Sequence, residues 1–491
     1  MVQKQPQTDS SNDAFSAMKN RQALTRPRRF AACAIRTPSR TVLTLRSTSC
    51  LLALLMSFTL LSYAQIASTP PMGWNSWDSY GMTITESEFK QNVSWFNTHL
   101  RSYDWQYVVI DEGWYLAHPG TAGQSYTMDA SGRYIPACDR FPSATGDRGF
   151  KPLVAYVHSL GLKFGIHIIR GIPRQAVERD LPIAGSSYHA AEAADTSDTC
   201  QWNADNYGVK NNAAGQAYYN SIAQLYAEWG IDFIKVDCIA QPYKKDEIHM
   251  ISDALRKTGR PIVLSLSPGP TPLEDAADVM KRAQMWRISN DFWDVWNQKS
   301  GSNDSAQSVM LQFPLLARWE RYAGPGHWPD GDMLPFGTLG VLGTKPRPGW
   351  QPARKSRLTA DEMRTVFTLW SIARSPLMLG ANLTQMDPPM EKLLTNREVI
   401  AVNQHSTNNK ALIHTSQSWV WTARATSTQS EYVALFNVSD SPLNLHYTWQ
   451  ELGLGKGKHT VRDLWLHKNI GRISGVQVTL RPHASIIYRV E

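Results

Sequence analysis

At 491 residues, 42% of them apolar and 19% charged, the chain is too long for one compact core of usual size, and we expect two domains behind a leader. The formal charge of +8 suggests a polyanion partner only until it is located: residues 1–64 hold nine Lys/Arg against two acids, a net of +7. The remainder has 41 basic and 40 acidic residues, so the body has no electrostatic reason to bind nucleic acid or an anionic membrane.

The leader reads as an export signal. Arg46 precedes an apolar run over 51–61, followed by Ser62-Tyr63-Ala64, a small-x-small cleavage pattern. Cleavage is expected after Ala64, leaving Gln65 as the new N-terminus of a secreted or periplasmic protein. The run is too short to span a bilayer, so no membrane association is expected after cleavage. Cys50 precedes the run rather than following it, which argues against a lipoprotein anchor. Export permits disulfides. The body keeps Cys138, Cys200 and Cys238, enough for one bridge with three pairings open, and none lies at zinc-ligand spacing.

From Pro70 to about Gly380, short apolar runs ending in polar residues alternate with amphipathic stretches, which predicts βα units and a parallel sheet. Strands are expected at 72–77, 107–111, 163–167, 232–237, 261–265 and 285–288, with two less sharply marked near 327–333 and 376–380. Between them, Ala217, Tyr218, Ile222, Leu225 and Tyr226 follow a 3.6 period within a helix over 213–229. Thr359-Ala360-Asp361-Glu362 is a capping box opening a helix through about Ala373. Eight strands over this span predict an α/β fold, a (β/α)8 barrel at 65–398 behind the leader at 1–64. After Val399 the segments become short, alternating and rich in Val, Trp, Tyr and Thr, which predicts a small antiparallel β domain at 399–491, a sandwich.

The stretch Phe233-Ile234-Lys235-Val236-Asp237-Cys238 concentrates the barrel argument. Its apolar residues suit a buried strand, while Lys235 and Asp237, two apart, share one face at the C-terminal end, where barrels hold their chemistry. Other expected strand ends are also acidic: Asp111-Glu112, Asp291 and Asp332, with Trp77 and His167 beside them. Carboxylates gathered at one mouth, without a phosphate-cradling glycine loop or a dinucleotide fingerprint, point to glycoside hydrolysis. That reaction needs two carboxyl groups facing one bond. Eighteen Trp fit a sugar partner, since indole faces stack on the C–H faces of pyranoses, although core packing accounts for most of them. Arg287, four before Asp291, binds substrate or tunes that acid on this reading.

Eight stretches carry a resemblance: P-P-M-G-W-N-S-W (70–77), V-I-D-E-G-W (109–114), K-V-D (235–237), R-I-S-N-D (287–291), P-D-G-D-M-L (329–334), L-W-S-I-A-R-S-P-L (369–377), V-I-A-V-N-Q (399–404) and R-D-L-W (462–465). In this order they resemble glycoside hydrolase family 27, the α-galactosidase and α-N-acetylgalactosaminidase family. The resemblance implies that Asp237 is the nucleophile and Asp291 the acid/base of a retaining reaction on terminal α-D-galactosides, with no metal or organic cofactor. It implies that Asp111 and its neighbour clasp the distal hydroxyls, that Lys235, Arg287 and Asp332 bind others, and that Trp77 walls the pocket. The sequence departs from the family in three places. The usual Asp-Asp pair is Asp111-Glu112, one methylene longer where the 6-position is held. His167 stands where a tyrosine is common. Ser267, in a rebuilt S-L-S-P-G-P, takes the place of a glutamate that reads the 2-substituent. These departures admit an α-N-acetylgalactosaminidase or a β-L-arabinopyranosidase. A Cys200–Cys238 bridge is the pairing favoured by the resemblance. A catalytically silent sugar-binding barrel is the rival of a different class. Asn92, Asn303, Asn382 and Asn437 begin N-x-S/T triplets, which are pattern matches only.

Overall fold

The computed structural model describes residues 66–297, 307–341 and 352–491. The expected leader, its cleavage after Ala64 and the Asn303 triplet lie outside these residues. Eight parallel strands make one sheet: β1 (Met72–Asn75), β2 (Tyr107–Ile110), β3 (Lys163–Ile169), β4 (Phe233–Asp237), β5 (Val263–Leu266), β6 (Met285–Arg287), β7 (Trp328–Asp330) and β8 (Leu377–Leu379). They pair in the order β8-β1-β2-β3-β4-β5-β6-β7. Leu334, just beyond β7, forms a parallel bridge with Leu379 of β8, which joins the two ends of that order. The sheet is a (β/α)8 barrel.

The two-residue period of β4 explains what the barrel encloses. Phe233 packs in the interior with Tyr107, Val109, Val263, Met285 and Met378, whereas Ile234 and Val236 belong to the outer core beneath the helices. Lys235 and Asp237 therefore share the inward face of Phe233, one and two steps nearer the mouth. The interior is tightly filled: a Cβ on Gly165 of β3 would stand 2.9 Å from Val109 and 3.1 Å from Phe233.

Among the described residues, seven helices of seven residues or more lie between the barrel strands: α1 (Glu86–His99), α2 (Lys151–Ser159), α3 (Ala213–Trp229), α4 (Lys245–Lys257), α5 (Ala276–Arg282), α6 (Val309–Trp319) and α7 (Ala360–Ala373). The capping box of α7 forms as its sequence implies, with Glu362 N–H donating to Thr359 Oγ1 at 3.3 Å and Thr359 N–H to Glu362 Oε2 at 2.7 Å. Trp77 was expected inside the first strand, but β1 stops at Asn75. The Asn75 side-chain oxygen accepts Trp77 N–H at 2.8 Å, turning the chain into a short helix over Trp77–Tyr80. Between β3 and β4 the chain makes an unforeseen excursion, a three-stranded antiparallel sheet of Ile172–Pro173, Asn206–Val209 and Ala194–Thr199.

A further helix, α8 (Arg397–Gln404), spans residue 399. Antiparallel strands follow: β9 (Ser406–His414), β10 (Ser418–Ala425), β11 (Glu431–Asn437), β12 (Leu443–Thr448), β13 (His459–Asp463), β14 (Lys468–Ile473), β15 (Gly475–Leu480) and β16 (Ser485–Val490). Six pair as β9-β10-β11-β16-β13-β14, and β12 pairs with β15. Alternation along β11 divides two cores. Tyr432, Ala434 and Phe436 join the barrel's outer core, and Val433 and Leu435 fill the space between the two sheets with Leu445, Trp449 and Val476.

Eight Trp, including Trp74, Trp286 and Trp421, are wholly buried, so most of the indole excess is core. Asn92, Asn382 and Asn437 are buried as well, so these triplets offer no amide to a glycan in the folded chain. Among the described residues no helix is long and apolar enough to cross a membrane.

Candidate active site

One pocket opens at the C-terminal mouth of the barrel, and its wall includes Trp77, Asp111, Glu112, Lys235, Asp237, Arg287, Asp291 and Asp332. They come from the ends of five strands, β1, β2, β4, β6 and β7, or the turns just past them. Chain segments up to about 250 residues apart thus meet only because the sheet closes.

Asp111 is the most heavily engaged carboxylate. It accepts from Lys235 Nζ at 3.0 Å, Asn75 Nδ2 at 2.6 Å and the Glu112 N–H at 2.8 Å. Burial pushes its carboxyl upward, but the charges of Lys235 and His167 outweigh that and hold it well below the usual range. Lys235 responds in the opposite sense. Burial alone would lower it, and Asp111 and Asp237 hold it above its ordinary value.

Asp237 is also kept ionised against burial. His167 Nε2 lies 3.2 Å from Asp237 Oδ2 and the Cys238 N–H donates to Oδ1 at 2.5 Å; these bonds, with the charges of His167 and Lys235, lower its pKa. His167 itself is wholly buried beneath the pocket. Burial opposes its protonation, yet the nearby Asp111 and Asp237 raise its pKa. It therefore underpins the floor of the site instead of lining it.

Glu112 is the exception among these acids. Burial pushes it up to about 7, the lowering effect of His167 being insufficient, and the charges of Asp237 and Asp111 add to the rise. Near neutrality it is a carboxyl group partly in its protonated form, unlike its neighbour Asp111.

On the far wall, Arg287 Nη2 donates to Asp291 Oδ1 at 3.1 Å and lies 2.8 Å from Asp332 Oδ2. Phe292 N–H reaches the same Asp332 oxygen at 2.7 Å. Burial pushes Asp332 upward while Arg287 opposes it. Two donors on one oxygen favour the carboxylate, in keeping with an Arg287 held above its ordinary range despite its own burial. Asp332 has a backbone φ of 85°, a conformation that costs a non-glycine residue energy and is held by these contacts. Asp291 differs in access: its side chain is 66% exposed, at the open rim. Ser267 is buried, in a small space bounded also by Lys235, Arg287 and Asp332 of the pocket wall.

The sequence pattern did not single out four neighbours. Asn75 holds Asp111. Asp78 lies in the pocket wall with its carboxyl pushed well up by burial and by the charge of Asp332. Its Oδ2 presses on Gly380, where a Cβ would stand 1.9 Å away. Trp202, 52% exposed, lines the same pocket. Asn203 donates to Glu112 Oε1 at 2.8 Å. Asn75 lies within the motif quoted at 70–77 and Asp78 is the residue after it, whereas Trp202 and Asn203 sit in the excursion before β4, where no periodicity marks them. Cys200 and Cys238 form a disulfide with their Cα atoms 5.9 Å apart, tying that excursion to the end of β4, and Cys138 is free and exposed.

Comparison with known proteins agrees with this arrangement. Residues 203–405 match the family described as alpha galactosidase A, and residues 415–490 match the alpha galactosidase C-terminal beta sandwich domain. An alpha-galactosidase of Cyamopsis tetragonoloba is 30% identical over 431 residues, 86% of each chain. A family 27 β-L-arabinopyranosidase of Geobacillus stearothermophilus superposes with a TM-score of 0.80 at 42% identity, covering 87% of this chain and 97% of that one. A variant of it solved in complex with arabinose gives 0.81, at 42% identity and coverage of 88% and 99%. A putative alpha-N-acetylgalactosaminidase of Bacillus halodurans gives 0.76 at 38% identity, with coverage of 87% and 98%. With the barrel, its acidic mouth and the trailing β domain, these matches mean that the chain belongs to glycoside hydrolase family 27, the α-galactosidase family, and is a glycoside hydrolase.

Proposed function

We propose that this protein is an exported, retaining exo-glycosidase for galacto-configured pyranosides, and that its preferred glycone is β-L-arabinopyranose. That sugar is α-D-galactopyranose without the 6-hydroxymethyl group. The observation that carries the choice is Glu112. Beside Asp111, where the family clasps the distal hydroxyls, the side chain is one methylene longer, part-buried and fixed by Asn203, and so takes up room that a 6-hydroxymethyl would need. The 42% identity to a relative that is a β-L-arabinopyranosidase supports the same reading. Cleavage of α-D-galactosides is the second reading, favoured by the alpha-galactosidase relatives at up to 30% identity.

In the first step Asp237 attacks the anomeric carbon while Asp291 gives its proton to the departing oxygen. In the second, Asp291 takes a proton from water, the water oxygen attacks the same carbon, and the bond to Asp237 breaks. Two inversions return the original configuration. The environments suit these roles: Asp237 is part-buried and held as a carboxylate, and Asp291 stands at the rim where a leaving group and water arrive. Lys235, Arg287 and Asp332 offer charged partners to ring hydroxyls, and Trp77 an aromatic wall.

Initial rates on p-nitrophenyl β-L-arabinopyranoside, α-D-galactopyranoside and α-N-acetylgalactosaminide test the proposal. The arabinoside should have the highest kcat/KM. A dominant galactoside rate would replace it with the second reading, and preference for the acetamide sugar would give Ser267 the deciding role. Silence on all three would mean an unusual sugar, an obligatory natural leaving group, or a barrel that binds sugar without cutting it.

A further inference from the structure

Steric exclusion by a glutamate is only as strong as the cost of moving it, because three side-chain torsions leave a free glutamate many rotamers. What holds Glu112 is therefore as informative as Glu112 itself. Asn203 Oδ1 accepts the Asp205 N–H at 2.8 Å. Only the oxygen of a carboxamide can receive that proton, so the orientation of the amide is fixed. Its Nδ2 is then turned the other way, donating to Glu112 Oε1 at 2.8 Å and to Asp205 Oδ2 at 3.2 Å.

Asp205 is in turn anchored on the barrel side. Tyr115 OH donates to its Oδ2 at 2.6 Å and Tyr126 OH to its Oδ1. The Tyr115 ring stacks on Tyr134 at 3.9 Å, and the hydroxyl of Tyr134 bonds Asn206 at 3.0 Å. On the other side of Asn203, Cys200 is bonded to Cys238, the residue after Asp237. The short segment carrying Asn203 is thus clamped at both ends, and its one amide aimed at the pocket meets Glu112.

We infer that Asn203 is a positioning residue for sugar selectivity: it holds the Glu112 carboxyl in one place and so keeps shut the space that a 6-hydroxymethyl group would enter. The inference rests on the reading of Glu112 given above. Asn203 acts through Glu112 and need not touch the sugar.

The test compares Asn203→Ala, Glu112→Asp and the double variant on the p-nitrophenyl arabinoside and galactoside. Glu112→Asp alone examines the underlying reading, and its kcat/KM ratio should move toward the galactoside by tenfold or more, about the worth of one methylene in a filled pocket. Asn203→Ala should move the ratio in the same direction by about tenfold, the worth of one buried hydrogen bond. The double variant should match Glu112→Asp, since the amide then has no glutamate to hold. An Asn203→Ala variant that slows both substrates equally, or alters neither, overturns the inference and leaves the Glu112 reading standing. An additive double variant also overturns it, because Asn203 would then act on the sugar directly. A Glu112→Asp ratio that does not move removes both. Should Asn203→Ala fail to fold, Tyr126→Phe removes one anchor of Asp205 and should shift the ratio the same way by about two- to threefold, within the range of a partly redundant hydrogen bond; no shift there overturns the inference as well.

Discussion

His167 Nε2 stands 3.2 Å from Asp237 Oδ2, in a contact where the histidine is wholly buried and the carboxylate faces the pocket. Burial alone would raise the Asp237 pKa, and the hydrogen bond from His167 is the first influence that lowers it. In His167→Phe that influence is lost and the carboxyl titrates higher. The acid limb of the kcat/KM–pH profile should therefore move toward neutrality by about one unit. His167→Gln, which keeps a donor, should move it less. Superimposable acid limbs for all three proteins would remove His167 from the control of Asp237.

Asp237→Gly should lower turnover by roughly 10⁴ or more, as loss of a nucleophile does. Added azide should restore cleavage of an activated aryl glycoside, because a small anion fits where the carboxylate was and attacks from the same face. The expected product is the glycosyl azide of inverted configuration. A variant with wild-type kcat would mean that Asp237 is not the nucleophile.

Lys235 and Asp111 are a buried ion pair at 3.0 Å. Lys235→Met keeps the bulk and removes the charge, leaving Asp111 uncompensated, at an expected loss of about 3 kcal/mol. The pH dependence should weaken. In the parent the folded-state pKa of Asp111 is depressed, so its contribution to stability is present above the unfolded value and is lost as pH falls through the folded one. In the variant the largest lowering influence is gone, so the folded-state pKa moves up toward the unfolded value and less of that contribution remains. Urea unfolding at pH 3 and pH 7 measures both effects, and a variant as stable as the parent at both would contradict them.

The Cys200–Cys238 bridge closes a chain segment with a sequence separation of 38. Cys200→Ser should cost about 2–4 kcal/mol by restoring freedom to the unfolded chain. Thermal unfolding of the parent with and without reductant should show a matching fall in Tm, and the serine variant should be indifferent to reductant. An unshifted Tm in both would remove the bridge from the stability of the fold.

The sequence exposed those parts of the molecule that follow a local period. Phe233, Lys235 and Asp237 read as one face because strand side chains alternate, and the interior packing of Phe233 shows the same face in space. The helix from Ala360 was marked by Thr359 and Glu362, three residues apart in one turn. Trp77 was misplaced by a single turn because the Asn75 side chain, not hydrophobic pattern, ends β1. Asn203 was invisible for a different reason. Its partner Glu112 is 91 residues away, and the excursion that carries it has neither a helical nor a strand period. Ser267 was read from its place in a motif alone, and the small space it lines adjoins the pocket through Lys235, Arg287 and Asp332.

The disulfide between Cys200 and Cys238 carries a consequence for handling the enzyme. The same covalent link that holds the segment before β4 also sits one residue from the carboxylate proposed to attack the sugar. On the inferred role of Asn203, full selectivity requires the oxidised pair. Material made in a reducing cytosol would contain every side chain of the site and still rank substrates differently from material folded where cysteines pair, so substrate preferences measured on the two preparations are not interchangeable.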